Sequence, residues 1–335
     1  MNKQPPFNIT NKIISYVAEI SELVGKMTTT AQLDRNPVLR RKNRILTIHG
    51  SLAIEQNTLT VEQVTAVLNG KQVLAPPKDT EEVKNAYEIY DHMELLNPYS
   101  CQDLLKAHSV MMRGLIDNAG EFRNRPVGVV DRATGKVVHF GTLPDYVPDL
   151  IMQLLSWIEN SEVHMLIKSC VSHYEFELIH PFLDGNGRIG RLWHTLMLSK
   201  WNPVFAWLPI ESMICKNQQK YYDVINYCNN ACDSTKFIEF MLNTIKTTLE
   251  DALTCSNGTG QEQVKEQVNL NELLEFCKTP RSRAEMQEFC GIQGRKKFNS
   301  HFLYPLLESG KLSMTIPNKP SSRNQKYIAN QGAVL

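Results

Sequence analysis

Between Ile13 and Ile179, apolar residues recur at three- and four-residue spacing in one stretch after another, and a chain with that pattern buries them by forming helices. The stretches run Ile13 to Met27, Arg44 to Gln56, Thr60 to Leu68, Thr80 to Leu95, Cys101 to Ile116, Pro148 to Ile158 and Val163 to Ile179. One segment departs from the pattern: Phe122, Val127, Val129 and Val130, then the polar run DRATGK, then Val137, Val138 and Phe140. β-Branched runs on both sides of a Gly-containing turn predict a β-hairpin. Two strands inside a helical bundle bury little by themselves, so this hairpin is expected to cover a surface or a site rather than build the core. The expected class is mainly α.

A second, smaller unit is expected behind the bundle. Residues 251–266, DALTCSNGTGQEQVKE, lack hydrophobic periodicity and read as an interdomain linker. From residue 267 to 335, ten Lys and Arg face five Glu, which gives +5; within a whole-chain balance of +1, the other 266 residues carry −4. Ser282 and Glu285 have the spacing of a capping box opening a helix from Arg283 to Phe289, with Gly291 after it. Asn269 to Lys278 supplies a helix before it, and another begins at Arg295. Leu312 to Ile316 and Lys326 to Ile328 flank a polar loop. Together these segments resemble a small α+β winged helix-turn-helix domain, whose second helix would carry Arg295, Lys296 and Lys297. Such domains read DNA or dock proteins, and the charge alone leaves both open.

No window approaches the roughly 18 consecutive apolar residues of a membrane-spanning helix, and the start, MNKQPPFNIT, lacks a secretory profile. A cytoplasmic protein without membrane contact is expected. The eight cysteines are scattered without framework spacing, as expected of reduced thiols.

Chemistry concentrates in residues 180–191, HPFLDGNGRIGR, set between two helical stretches. A glycine-rich turn opening a helix leaves backbone N–H groups at the positive end of the helix dipole, which suits an anion. Gly185 and Gly187 permit the close approach a phosphate needs. Arg188 and Arg191, three residues apart, share a helix face and can both reach such an anion. Asp184 beside a phosphate calls for a cation, and Mg²⁺ bridging it to a polyphosphate removes the conflict. His180, whose side chain has an unperturbed pKa close to physiological pH, is the natural general base. His173, Glu177 and His180 fall at i, i+4 and i+7 and could instead share a helix face as a metal site, a reading that ranks below the role of His180 in the turn.

Every defined position of HPFLDGNGRIGR matches the signature HPFx(D/E)GNGRxxR, so the chain resembles the Fic (Fido) family over roughly residues 40–250. HYEFELI at 173–179, GEFR at 120–123 and the pair Tyr221-Tyr222 add to the likeness. The resemblance implies a Fic-fold core over 96–250, preceded by a helical region, 1–95, and a hairpin flap (about 122–140) that holds a target protein by strand-type pairing. It implies transfer of AMP from ATP to a Ser, Thr or Tyr hydroxyl of a target or of the enzyme itself. His180 would take the hydroxyl proton, and Asp184 would hold Mg²⁺. Gly185, Asn186 and Gly187 would form the anion hole, and Arg188 and Arg191 would meet the β and γ phosphates. Ile189 and Gly190 belong to the same nucleotide-binding run, and Phe182 would anchor the loop. Tyr222 and Asn230 would lie at the adenine, though their spacing is one residue longer than the family pattern.

Upstream, Ser51 and Glu55 sit four apart near the end of the helix expected over 44–57. By resemblance to the family's inhibitory (S/T)xxxE(G/N) helix, Glu55 would pair with Arg191 and keep ATP from its productive pose. Gln56 stands where that pattern has Gly or Asn, and Asn57 follows. The expected function is therefore a protein adenylyltransferase autoinhibited by Glu55, in a family where homodimers are frequent. The alternatives are a de-AMPylase of the same family and a DNA-binding regulator that senses nucleotide.

Overall fold

The structure, a computed structural model, describes residues 4–30, 37–130, 137–256, 273–274, 276–289, 298–318, 322 and 325–330. The periodic stretches are helices: α1 (Asn11–Thr30), α2 (Pro37–Ile54), α3 (Val61–Leu68), α4 (Pro77–Asp91), α5 (Cys101–Met111), α6 (Val147–Asn160) and α7 (Met165–Ile179). Beyond them lie α8 (Asn186–Trp201), α9 (Ile210–Lys216), α10 (Gln218–Ala231) and α11 (Thr235–Ser256).

Local chemistry explains the ends. Thr60 and Gln63 form a reciprocal capping box that starts α3, and Ser100 accepts the Asp103 N–H at the start of α5. Pro37 opens α2 and Pro77 opens α4, where a missing N–H costs nothing. Helix α5 stops at Met111, short of the expected Ile116. There the Asn85 side chain takes the Met111 and Arg113 carbonyls at 3.3 and 2.8 Å, and Gly114 turns the chain with φ +72°.

The chain divides into two compact units, Met1–Leu253 and Thr254–Leu335. In the first, one apolar core takes Ile13 and Ile20 from α1, Ile48 and Leu52 from α2, Ile167 and Val171 from α7, Leu192 and Leu196 from α8, and Phe237 and Met241 from α11. Residues 1–95 thus share their core with residues 96–250. The expected hairpin is present as β1 (Gly128–Val130) and β2 (Val137–Phe140), paired antiparallel with Gly128 opposite Phe140. Its turn, 131–136, lies outside the described residues, as does 257–266 of the expected linker.

The second unit has its own core of Leu273, Leu274, Cys277, Met286, Phe298, Phe302, Leu306, Leu312 and Tyr327. The capping box forms as expected: Glu285 accepts the Ser282 N–H at 2.8 Å, Ser282 accepts the Glu285 N–H at 3.3 Å, and α12 (Arg283–Phe289) follows. A further short helix, α13 (Tyr304–Glu308), precedes the last two strands. The two expected strands, β4 (Leu312–Met314) and β5 (Lys326–Ala329), pair antiparallel, but the sheet has three strands. The backbone at β3 (Arg281–Ser282) also pairs with β5, an edge the hydrophobic pattern did not reveal because β3 is only two residues long. Arg295, Lys296 and Lys297 lie outside the described residues.

Candidate active site

Helix α7 ends where His180 adopts the left-handed conformation, φ +53° and ψ +63°, its N–H still bonded to the Phe176 carbonyl at 2.9 Å. Such a backbone costs a non-glycine residue about 1–2 kcal/mol, so the surroundings must hold it. They do: Arg123 bonds the His180 carbonyl through Nε at 2.7 Å and the Pro181 carbonyl through its own N–H at 2.9 Å. The turn takes His180 off the helix face of His173 and Glu177. Among the described residues no three His, Cys, Asp or Glu are grouped to hold a metal ion, and His173 instead meets the Tyr221 hydroxyl at 3.1 Å.

The loop is then fixed from within. The Asn186 side chain clips both polar groups of Phe182, accepting its N–H at 2.8 Å and donating to its carbonyl at 2.9 Å. Phe182 is fully buried and stacks on His108 with ring centroids 3.6 Å apart. His108 accepts the Gly120 N–H on Nδ1 at 2.8 Å, so its proton sits on Nε2 and is donated to the Asp184 carbonyl at 3.0 Å. Burial pushes His108 down to about 4, which keeps it neutral in that role. Gly185 has φ +84°, and a Cβ there would fall 2.6 Å from Met112 Sδ. It is the N-cap of α8 and contributes no capping side chain, so the first N–H groups of the helix line the loop.

Both arginines of α8 are buried and already paired. Arg188 donates through Nη1 to Glu82 of α4 at 2.9 Å and through Nη2 to Asp184 at 3.2 Å. Arg191 donates through Nη2 to Glu55 at 2.7 Å and to the Ser51 carbonyl at 3.0 Å, and through Nε to the Ser51 hydroxyl at 3.1 Å. Burial alone would raise the Glu55 carboxyl, but Arg191 outweighs it and holds the group below the usual carboxylate range. A Cβ at Gly187 would land on Glu55 Oε1, so the bare glycine is what admits the carboxylate over the loop.

Gln56, the departure from the family pattern, takes φ +70° just past the end of α2, the geometry that favours Gly or Asn. Asn57, one residue on, donates to Glu82 Oε2 at 2.8 Å and to the Asp79 carbonyl at 3.1 Å, tying the turn to α4.

Asp184 is about half exposed; its Oδ1 accepts the Gly185 N–H at 2.7 Å and Arg188. One accessible carboxylate beside a phosphate-type loop is the donor set Mg²⁺ uses when substrate phosphates and waters supply the remaining ligands, so the residues present fit that ion. Ile189 is buried in the core and Gly190 lies against Glu177, Phe176 and His173 of α7, so both contribute packing. Tyr222 projects partly into solvent near Glu55; burial first, then the Glu55 carboxylate, raises its phenol. Asn230 is exposed at the far end of α10, whereas Asn229 is held by the Tyr174 hydroxyl at 2.8 Å.

A family model described as the Fic/DOC family matches residues 98–198, and one described as Filamentation induced by cAMP protein Fic-like, C-terminal domain, matches 266–328. The crystal structure of a Fic family protein from Desulfovibrio desulfuricans is 41% identical and superposes with a TM-score of 0.74, covering 98% of this chain and 99% of its own. The chain belongs to the Fic family.

Its mainly helical Fic fold is also shared by a fragment of Fic-1 from Caenorhabditis elegans, at a TM-score of 0.58 and 19% identity over 72% of each chain. Among curated Fic proteins, the protein adenylyltransferase fic-1 of Caenorhabditis briggsae is 30% identical over 229 residues, 63% of this chain and 42% of that protein. The protein adenylyltransferase Fic of Drosophila virilis is 28% identical over 244 residues, 68% of this chain and 46% of that protein. The chain thus spans under half the length of these relatives.

Three residues that hold the 180–191 loop lie outside the motif: Glu82, His108 and Arg123, the last seen only as part of GEFR. Glu177 lies outside it as well. Its carboxyl lies between α7 and α8, with Oε1 buried without a hydrogen-bond partner, 3.8 Å from His173 Nε2. Burial pushes it up from 4.5 to about 7 against the pull of Arg191. Between those two values the unfolded chain has released the proton and the folded chain keeps it, so stability falls as pH rises through this window. Glu177→Gln is expected to exceed wild type by on the order of 3 kcal/mol at pH 8 and to match it near pH 4. Urea unfolding at the two pH values checks this, and an equal gain at both would show that Glu177 does not titrate there.

Proposed function

We propose that the chain is a protein adenylyltransferase that transfers AMP from ATP to a Ser, Thr or Tyr hydroxyl of a target protein or of itself, and that Glu55 holds it off. The observation that carries the reading is the contact of the Glu55 carboxylate with Arg191 above a complete HPFLDGNGRIGR loop. The curated relatives support it by name.

In this reading His180 takes the proton of the target hydroxyl, and the oxygen attacks the α phosphorus of ATP. The bond from that phosphorus to the α–β bridging oxygen breaks, and pyrophosphate leaves with its charge. The N–H groups of Gly185, Asn186 and Gly187 and the side chains of Arg188 and Arg191 receive the phosphates, and Phe182 keeps the loop from shifting. Mg²⁺ on Asp184 would neutralise phosphate charge as it develops. The target lies along the hairpin at about 122–140, where β1 and β2 offer an edge for strand pairing. The adenine rests near Tyr222, with the exposed Asn230 as its polar contact. Glu55 occupies the guanidinium that the γ phosphate needs, so ATP cannot settle with its α phosphate in line.

The test is label transfer from α-³²P ATP with Mg²⁺ to the chain itself and to a cell lysate, for wild type and Glu55→Gly. Strong labelling in Glu55→Gly and little in wild type is the expected result. If both stay dark, transfer is rejected, and release of AMP from a modified protein, with Glu55 positioning water, becomes the reading to pursue.

A further inference from the structure

The hairpin and His180 are joined by one side chain. Arg123 is 3% exposed, and its donors are spent on carbonyls from three separate segments. Nε takes His180 O at 2.7 Å, and Nη2 takes Ile179 O at 3.3 Å, so the guanidinium caps the carbonyl end of α7 where the helix leaves acceptors without partners. Nη1 takes Arg125 O at 3.1 Å on the leg leading into the hairpin, and Nη2 also takes Thr142 O on the leg leading out. The two legs are closed by the Gly141 N–H on Val127 O at 3.0 Å.

Packing adds a constraint of its own. A Cβ at Gly141 would fall 2.9 Å from Arg123 Nη2, 3.0 Å from Val127 Cγ2 and 3.4 Å from His180 Cβ, so hairpin base, guanidinium and histidine meet at one point. A lysine could reach one of these carbonyls but could not fork among them.

We infer that Arg123 is a positioning residue that fixes the register between the hairpin and His180, and so sets where a strand-paired target hydroxyl arrives relative to the base. The inference rests on the adenylyl-transfer reading. The guanidinium touches neither Arg188, Arg191 nor Asp184 in the described contacts, so nucleotide binding is left to the α8 side of the loop. A shift of about 1 Å between bound groups costs on the order of 10²-fold in rate. Loss of this coupling should therefore slow transfer while ATP is held as before.

The experiment uses the full chain carrying Glu55→Gly, alone and combined with Arg123→Lys or with Gly141→Ala, which keeps the guanidinium but pushes it aside. Three quantities are measured: ATP affinity with Mg²⁺ by calorimetry, amide exchange over 137–142 and 179–182, and the rate of self-labelling from α-³²P ATP. The expected result is ATP affinity within about twofold, faster exchange in both segments together, and labelling slowed about 10²-fold. Equal loss of ATP affinity and labelling would overturn the inference, as would exchange that rises in the hairpin while 179–182 stays protected. If Arg123→Lys does not fold, Gly141→Ala decides by the same readouts. If Glu55→Gly by itself transfers no label, the adenylyl-transfer reading fails separately, and joint or separate exchange of the two segments still decides whether Arg123 couples them.

Discussion

Adding His180→Ala to the Glu55→Gly chain is expected to slow label transfer by about 10²–10⁴-fold while ATP affinity stays within about twofold. The split follows from where the groups lie. His180 ends α7, and its ring is oriented by a 3.3 Å contact from Nδ1 to the Glu177 carbonyl, whereas the groups proposed to receive the phosphates belong to the start of α8. Neither His173 nor Asp184 is placed to substitute for His180 as the proposed base. His173 is fully buried and kept neutral by burial, with its Nε2 already at the Tyr221 hydroxyl. Asp184 points back to the Gly185 N–H and Arg188. Single-turnover labelling with calorimetric ATP binding separates the two effects; a loss of less than about tenfold would mean that the target hydroxyl is deprotonated by something else.

The helices were legible because their apolar spacing is local. Twelve consecutive residues also displayed the loop's chemistry, since the Asn186 clip on Phe182 and the Asp184 bond to Gly185 lie inside the loop. The pairing of Glu55 with Arg191 was legible only through the resemblance of residues 51–57 to the (S/T)xxxE(G/N) helix. Nothing in the local sequence says that a glutamate would meet an arginine 136 positions away.

What stayed hidden has one physical character. Glu82 meets Arg188 across 106 positions, His108 meets Asp184 across 76, and Arg123 meets His180 across 57. Each is a polar residue on a helix or a loop, and by periodicity alone it counts as solvated surface. Burial changes that role, because a polar group removed from water must find a partner, and the partner is chosen by helix packing. Short-range rules missed the end of α5 for the same reason: the carbonyls there are satisfied by Asn85, which belongs to α4.

Glu82 carries the second large prediction. Arg188 and Glu82 are 3% and 6% exposed and 2.9 Å apart, and Lys78 lies 4.0 Å from the same carboxylate oxygen. Removing Glu82 leaves the buried Arg188 with only the half-exposed Asp184, 3.2 Å away, as counterion, a larger penalty than the intact pair is worth. Glu82→Ala is therefore expected to destabilise the chain by about 3–5 kcal/mol, measured by urea unfolding. Glu82→Leu with Arg188→Met, which removes both charges, should recover most of that loss. Glu82 Oε2 also receives Asn57, two residues beyond Glu55, so a carboxylate paired with Arg188 also pins the turn that follows Glu55. Glu82→Gln keeps an acceptor for Asn57 but not the charge. It should retain wild-type silence in label transfer despite lowered stability, whereas Glu82→Ala should label above wild type at a temperature where both remain folded. Equal labelling by the two variants would mean that the Asn57 contact does not restrain Glu55.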